Sequence, residues 1–163
     1  MSTDLEKAIV LRNLGKYKDS SLLLVKLAEE YPVNPVIHYQ CAWSFDVLGE
    51  ELKAVSHYEK AIELGLPESD LPGAILGLGS TYRTLGEYEK SKIVFEKGIS
   101  QFPSNRAIQV FYSMTLHNLG QHSRAMEMLL KCVAETSDDP EVLQYKKSIT
   151  FYADKLDEIF DKD

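Results

Sequence analysis

Apolar residues in this chain come in short runs at three- and four-residue intervals, broken at regular distances by a Leu-Gly pair. The stretch "TLGEYEKSKIVFEKGISQFP", residues 84–103, shows one full cycle. The pair occurs as Leu14-Gly15, Leu48-Gly49, Leu85-Gly86 and Leu119-Gly120, so the glycines are spaced by 34, 37 and 34 residues. Five residues after each glycine stands a small residue: Ser20, Ala54, Ser91 or Ala125. Four further on stands a large apolar one: Leu24, Tyr58, Phe95 or Leu129. Before the glycine, Ala8, Ala42, Gly79 and Ser113 form another small column, and Leu11, Phe45, Tyr82 and Leu116 a large one. Such spacing puts a notch beside a ridge on one helical face. The pattern predicts two helices per cycle. The first ends at the glycine, where a left-handed backbone is cheap without a Cβ. The second ends near Pro32 or Pro103, because proline cannot continue the hydrogen-bond ladder. Neither helix hides its apolar face alone, so neighbouring hairpins must stack.

These columns resemble the tetratricopeptide repeat (TPR), a 34-residue helix–turn–helix unit with the pattern W-x2-L-G-x2-Y…A-x3-F…P. Residues 72–105 carry it best, with Ile75, Leu78, Gly79, Tyr82, Gly86, Tyr88, Ser91, Phe95 and Pro103. His38 and Cys41 depart from the family's usual Trp and Leu, and Asp4 and Lys7 weaken the first helix. The stretch "LPESDLPGAILGLGSTYRTLGEY" is also similar to small bacterial TPR proteins without an assigned activity. The expected fold is therefore all-α: a right-handed α–α superhelix of four repeats forming a single domain over 1–163. The repeats are expected at about 1–34, 35–71, 72–105 and 106–139, with a capping helix at about 140–160.

Two segments break the period. The insertion "GLPESDLP", 65–72, reads as a spacer loop, with Ser69 or Asp70 as cap and Pro72 in the first turn of the next helix. Further on, Asp139 and Pro140 start a helix in which Val142, Tyr145, Ile149, Tyr152, Leu156 and Ile159 form one stripe over about 21 residues. That stripe fits a cap over the last repeat, or pairing with a second copy of the chain.

Composition adds limits. Net charge is −7, which argues against a surface that tracks nucleic-acid phosphates or anionic lipid. No apolar run approaches the roughly 20 residues needed to cross a bilayer, and the start "MSTDLEKAIV" lacks the basic and apolar regions of a signal peptide. Cys41 and Cys132 form no CxxC pair and read as buried free thiols in a reducing, cytoplasmic setting.

No catalytic constellation emerges. His38, His57, His117 and His122 share no metal-ligand spacing, and His117 and His122 straddle a turn glycine, so no single helix face holds both. "LGLGST", 76–81, lacks both GxxxxGK[ST] and GxGxxG spacing, and Gly79 reads as a close helix crossing. The expectation is no enzyme, no cofactor and no metal.

The TPR resemblance implies instead a concave face lined by the first helix of each unit. In this chain it would carry Tyr39, Trp43, Asp46, Leu76, Ser80, Arg83, Val110, Met114 and His117. The Lys/Asn/Arg clamp by which some TPR proteins hold a chaperone's C-terminal carboxylate is absent. The expected floor is apolar and aromatic, suited to an anchor from a peptide or helix. Gly73 and Gly77 would either admit a ligand backbone or loosen the first helical turn, and Trp43 would serve either a partner or the core. Three functional readings remain: a protein–protein interaction module, a homodimeric structural protein using the groove or end helix, and an export or assembly chaperone for a client.

Overall fold

A computed structural model of the chain describes residues 2–160, in which nine helices and no strands occur. They are α1 Ser2–Asn13, α2 Tyr17–Glu30, α3 Pro35–Leu48, α4 Glu51–Glu63, α5 Leu71–Thr84, α6 Tyr88–Gln101, α7 Arg106–Asn118, α8 His122–Thr136 and α9 Pro140–Tyr152. The first eight form four antiparallel hairpins. Each hairpin turn is the same device. At the second, Gly49 adopts φ +71°, its N–H donates to Asp46 O, and the Glu50 N–H reaches back to Phe45 O. Gly15, Gly86 and Gly120 repeat it at φ +75°, +78° and +74°. The paired return bonds satisfy two carbonyls that the helix end would otherwise orphan. Entry to α3 and α7 is set by side-chain caps: Asn34 Oδ1 accepts from Val36 and Ile37 N–H, and Asn105 Oδ1 from Ile108 N–H.

The hairpins stack in register. Consecutive helices pack on one another throughout, and in addition α1 touches α3, α3 touches α5 and α5 touches α7, while the even helices make no such contact. The odd helices therefore form the inner, concave layer and the even helices splay on the outside. This is the superhelical solenoid expected from the repeat.

The core is built by the small and large columns. Phe95, fully buried, lies against Gly79, where an added Cβ would come within 2.5–2.8 Å of three ring atoms. Polar stitches run beside it. Ser91 Oγ donates to Gly79 O at 2.7 Å and lies 2.8 Å from Thr115 Oγ1 of the next hairpin. Ser20 does the same in the first hairpin, 2.7 Å from Ala8 O and 3.3 Å from Ser44 Oγ. Ala54 holds that column in the second hairpin, so the junction to the third is apolar there and includes buried Leu78. The inserted loop falls at this same junction. Asp70 stands at the cap of α5, but its side chain makes no capping bond; Pro72 does lie in the first turn.

The last helix differs from expectation. Asp139 Oδ1 caps it through Glu141 and Val142 N–H at 3.0 and 3.1 Å, and Pro140 is its first residue. It stops at Tyr152, however, after 13 residues, well short of the expected end near 160. Two causes are visible. Ala153 is buried as the chain turns, and Asp157 accepts from Ser123 Oγ at 2.6 Å, drawing the tail against the start of α8. A longer helix would also carry Asp157 and Glu158 into its last turn, where the negative end of the helix dipole opposes them. The expected stripe is not a buried seam: Val142 and Ile149 are half-buried, whereas Tyr145, Tyr152, Leu156 and Ile159 are exposed. Helix α9 packs on α8 and does not reach α7.

Candidate functional site

The nine residues expected on the concave face lie on α3, α5 and α7, and the two ends of the inner layer differ in chemistry. At the first end, Tyr39 and Trp43 are four residues apart on α3, with ring centroids 6.3 Å apart and planes at 29°. The guanidinium of Arg12 on α1 lies 3.9 Å from the Trp43 ring centroid. Arg12 is itself buried and holds Gln40 through Oε1 at 2.6 Å. Trp43 thus has a cation over its ring and a second ring nearby, yet 44% of it remains open to solvent. Stacking on a cation in a partly dry site is worth about 1–2 kcal/mol, which holds the indole in place before any partner arrives.

The glycines of α5 have a different role from the one expected. A Cβ on Gly73 would lie 2.3 Å from Tyr39 Oη, and one on Gly77 would lie within 2.3–2.8 Å of three Tyr58 atoms. Their missing side chains admit this chain's own tyrosines, not a ligand backbone. Tyr58 in turn donates to Asp46 Oδ2 at 2.7 Å, and Thr81 Oγ1 donates to Asp46 Oδ1 at 2.8 Å. Asp46 is therefore engaged on both oxygens by its own fold. Burial raises its pKa above the usual carboxylate value despite the two hydrogen bonds that favour the charged form. Burial likewise pushes the Tyr39 hydroxyl up.

In the middle of the layer Leu76 and Ser80 are half-buried on α5, and Val110 is half-buried on α7. At the far end Arg83, Ser113, Met114, His117, Asn118, His122, Ala125, Met126 and Leu129 line one open cavity of about 630 Å³. Arg83 Nη1 donates to Asn118 Oδ1 at 3.4 Å, while its Nε is buried with no acceptor among the described residues. His122, Met126 and Leu129 come from the outer helix α8. Sequence reasoning missed them because it drew the face from the first helix of each unit only. The signal was present in the four-residue step from His122 to Met126, directly after the turn glycine. The same turn brings the rings of His117 and His122 to 4.7 Å between centroids, though they occupy different helices.

His38 is buried on α3, away from this face. Its Nε2 lies 3.0 Å from Pro32 O, which can only accept, so Nε2 carries the proton and Nδ1 accepts from His57 Nδ1 at 3.0 Å. The residue that replaces the family's Trp thus ties the end of the first hairpin to α4. Among the described residues no group of three or more His, Cys, Asp or Glu could hold a metal ion, and no helix is long and apolar enough to cross a membrane.

Comparison with known proteins agrees with this architecture. The family model described as "Tetratrico peptide repeat" matches residues 35–156, well over half of the chain, and the chain belongs to that family. Superkiller protein 3 of Saccharomyces cerevisiae is 26% identical over 104 residues, covering 60% of this chain; the match spans only 7% of the yeast protein. Among solved structures, MamA from Desulfovibrio magneticus superposes with a TM-score of 0.74 at 16% identity, covering 94% of this chain and 85% of that one. YrrB, described as a TPR protein with an unusual peptide-binding site, superposes at 0.65 and 13% identity, covering 92% of this chain and 84% of its own. These structures share the fold.

Proposed function

We propose that this chain is a non-enzymatic, cytoplasmic interaction module whose inner helix layer holds an extended or helical segment of another protein. The observation that carries this reading is Trp43: a large aromatic side chain, 44% exposed on the concave layer and held rigid by Arg12 and Tyr39. Aromatic anchors that need no ordering on binding concentrate interface energy. Leu76 extends the apolar floor toward the far cavity, which Arg83 lines. The binding of a peptide by a TPR protein of this fold, as described for YrrB, supports the same reading. The residues proposed to meet the partner are Tyr39, Trp43, Leu76, Ser80, Arg83, Val110, Met114 and His117.

The test compares partners captured from the native cell extract by the wild-type chain and three variants. Trp43→Ala should cost the 2 kcal/mol or more of a binding hot spot, about a thirtyfold loss, and Leu76→Asp should abolish capture. Leu52→Ser, on the exposed outer helix α4, should capture as wild type does. Equal capture by all four proteins, each with native circular dichroism, refutes the groove.

A second reading, self-association, has its own observation. Phe151, Tyr152 and Phe160 form an exposed aromatic cluster on and beyond α9, with centroids 5.0–6.4 Å apart. Sedimentation at micromolar concentration separates the two, since a monomer across that range removes the second.

A further inference from the structure

The geometry points to a cuprous-ion site in the far cavity, formed by His117, His122, Met114 and Met126. Met114 and His117 are three residues apart on α7, and His122 and Met126 four apart on α8, so each pair shares a helix face. The turn at Gly120 folds those two faces together, and all four side chains line the same cavity. Two imidazoles bonded to one ion at about 2.0–2.1 Å place their ring centroids about 5 Å apart; the two rings here are 4.7 Å apart. Both methionines are exposed at the cavity, at 39% and 46%, so neither thioether is committed to the core.

The donor set selects the ion. Thioether sulfur is soft and suits Cu(I), whereas Zn(II) is held by thiolate, imidazole and carboxylate. The remaining lining residues supply no carboxylate and no thiolate. Arg83 adds a fixed positive charge to the same cavity. Coulomb repulsion scales with the charge of the ion, so a divalent metal meets twice the opposition that a monovalent one does. Four neutral ligands beside a cation favour a soft, singly charged ion. This departs from the sequence expectation of no metal, because neither methionine pairs nor histidines on separate helices form a recognisable spacing.

The test is an anaerobic titration of the full chain with Cu(I) against bicinchoninate as competitor, with X-ray absorption on the loaded protein. The expected result is one Cu(I) per chain with both nitrogen and sulfur scatterers. Met114→Leu with Met126→Leu, and separately His117→Gln with His122→Gln, should each weaken binding by at least about a hundredfold, the upper end of what losing even an outer partner costs. The leucine replacements conserve volume at exposed positions, so loss of binding without loss of helicity reports the ligands. Failure to compete with bicinchoninate overturns the assignment. So does binding that survives both double variants, or that disappears only in Cys132→Ser. Zn(II) bound as tightly as Cu(I) overturns it as well.

Discussion

Replacing Ser91 with alanine should destabilise the chain far more than the same exchange does on an ordinary surface, and the amount can be worked from its two bonds. Ser91 is fully buried, and it has one proton, which it gives to Gly79 O at 2.7 Å. The 2.8 Å contact with Thr115 must therefore be a donation from the threonine hydroxyl, also fully buried. Ser91→Ala leaves that hydroxyl with no acceptor at this site, at a cost of about 1–3 kcal/mol. Thr115→Val keeps the bond to Gly79 and should cost about 0.5–1.5 kcal/mol. The double variant replaces both hydroxyls with apolar groups and should lie close to wild type. Steric tolerance is not in question, because Ala54 and Ala125 occupy the same column in other hairpins and are buried. The assay is urea denaturation of all four proteins, read by circular dichroism, with melting temperatures alongside. The singles should fall by about 2–4 °C per kcal/mol, and, with the double variant near wild type, the cycle should show coupling of at least about 1.5 kcal/mol, as contacting residues can. Additive singles, or a double variant less stable than either, would refute the reasoning that this pair is one buried polar stitch between the third and fourth hairpins.

Gly79→Ala should destabilise by about 1–3 kcal/mol through overpacking against the immobile Phe95 ring, partly offset by the helix preference of alanine. Gly73→Ala should leave stability nearly unchanged, since the new methyl meets only the tip of half-exposed Tyr39, but it should weaken partner capture by displacing that ring from Trp43. Burial, followed by the neighbouring His38, holds the pKa of His57 below its ordinary value. The unfolded chain then takes up a proton before the folded one does. Stability from this residue is complete above about pH 6.5 and is lost as pH falls through the folded value, by at most about 1.4 kcal/mol per pH unit; His57→Gln should flatten that part of a stability–pH curve. Burial pushes the Cys41 thiol up to about 12, so iodoacetamide at neutral pH should label it only after denaturant is added. Labelling of Cys41 in the native protein would contradict its placement in the core.

How much was legible in the sequence varies with the residue. The hairpins were legible because their determinants are local. A glycine at a left-handed position acts within a few residues and recurs at Gly15, Gly49, Gly86 and Gly120, and the small and large columns, as at Gly79 and Phe95, stand at fixed distances from it; the caps Asn34 and Asn105 went unread. Trp43 was legible as a position on the inner layer but not as exposed, because its cover is set by Arg12, 31 residues earlier. Asp46 was placed on the concave face, but its engagement was not legible, because its two donors, Tyr58 and Thr81, lie on different helices. The length of α9 was misread because its stripe continues past Tyr152, while the contact that ends it runs from Asp157 to Ser123.

The sequence by itself therefore determined the repeat, the all-helical class and the hairpin turns, while its resemblance to the TPR family implied which helix of each pair faces inward. Only the tertiary structure decided that Gly73 and Gly77 make room for tyrosines of the same chain, that His117 and His122 meet across a turn, and that α9 leaves the inner layer. The division has one physical cause. Backbone conformation and helix periodicity are set by residues a few positions apart, whereas the occupancy of a surface depends on which distant side chain fills each gap, and that is chosen when the hairpins stack.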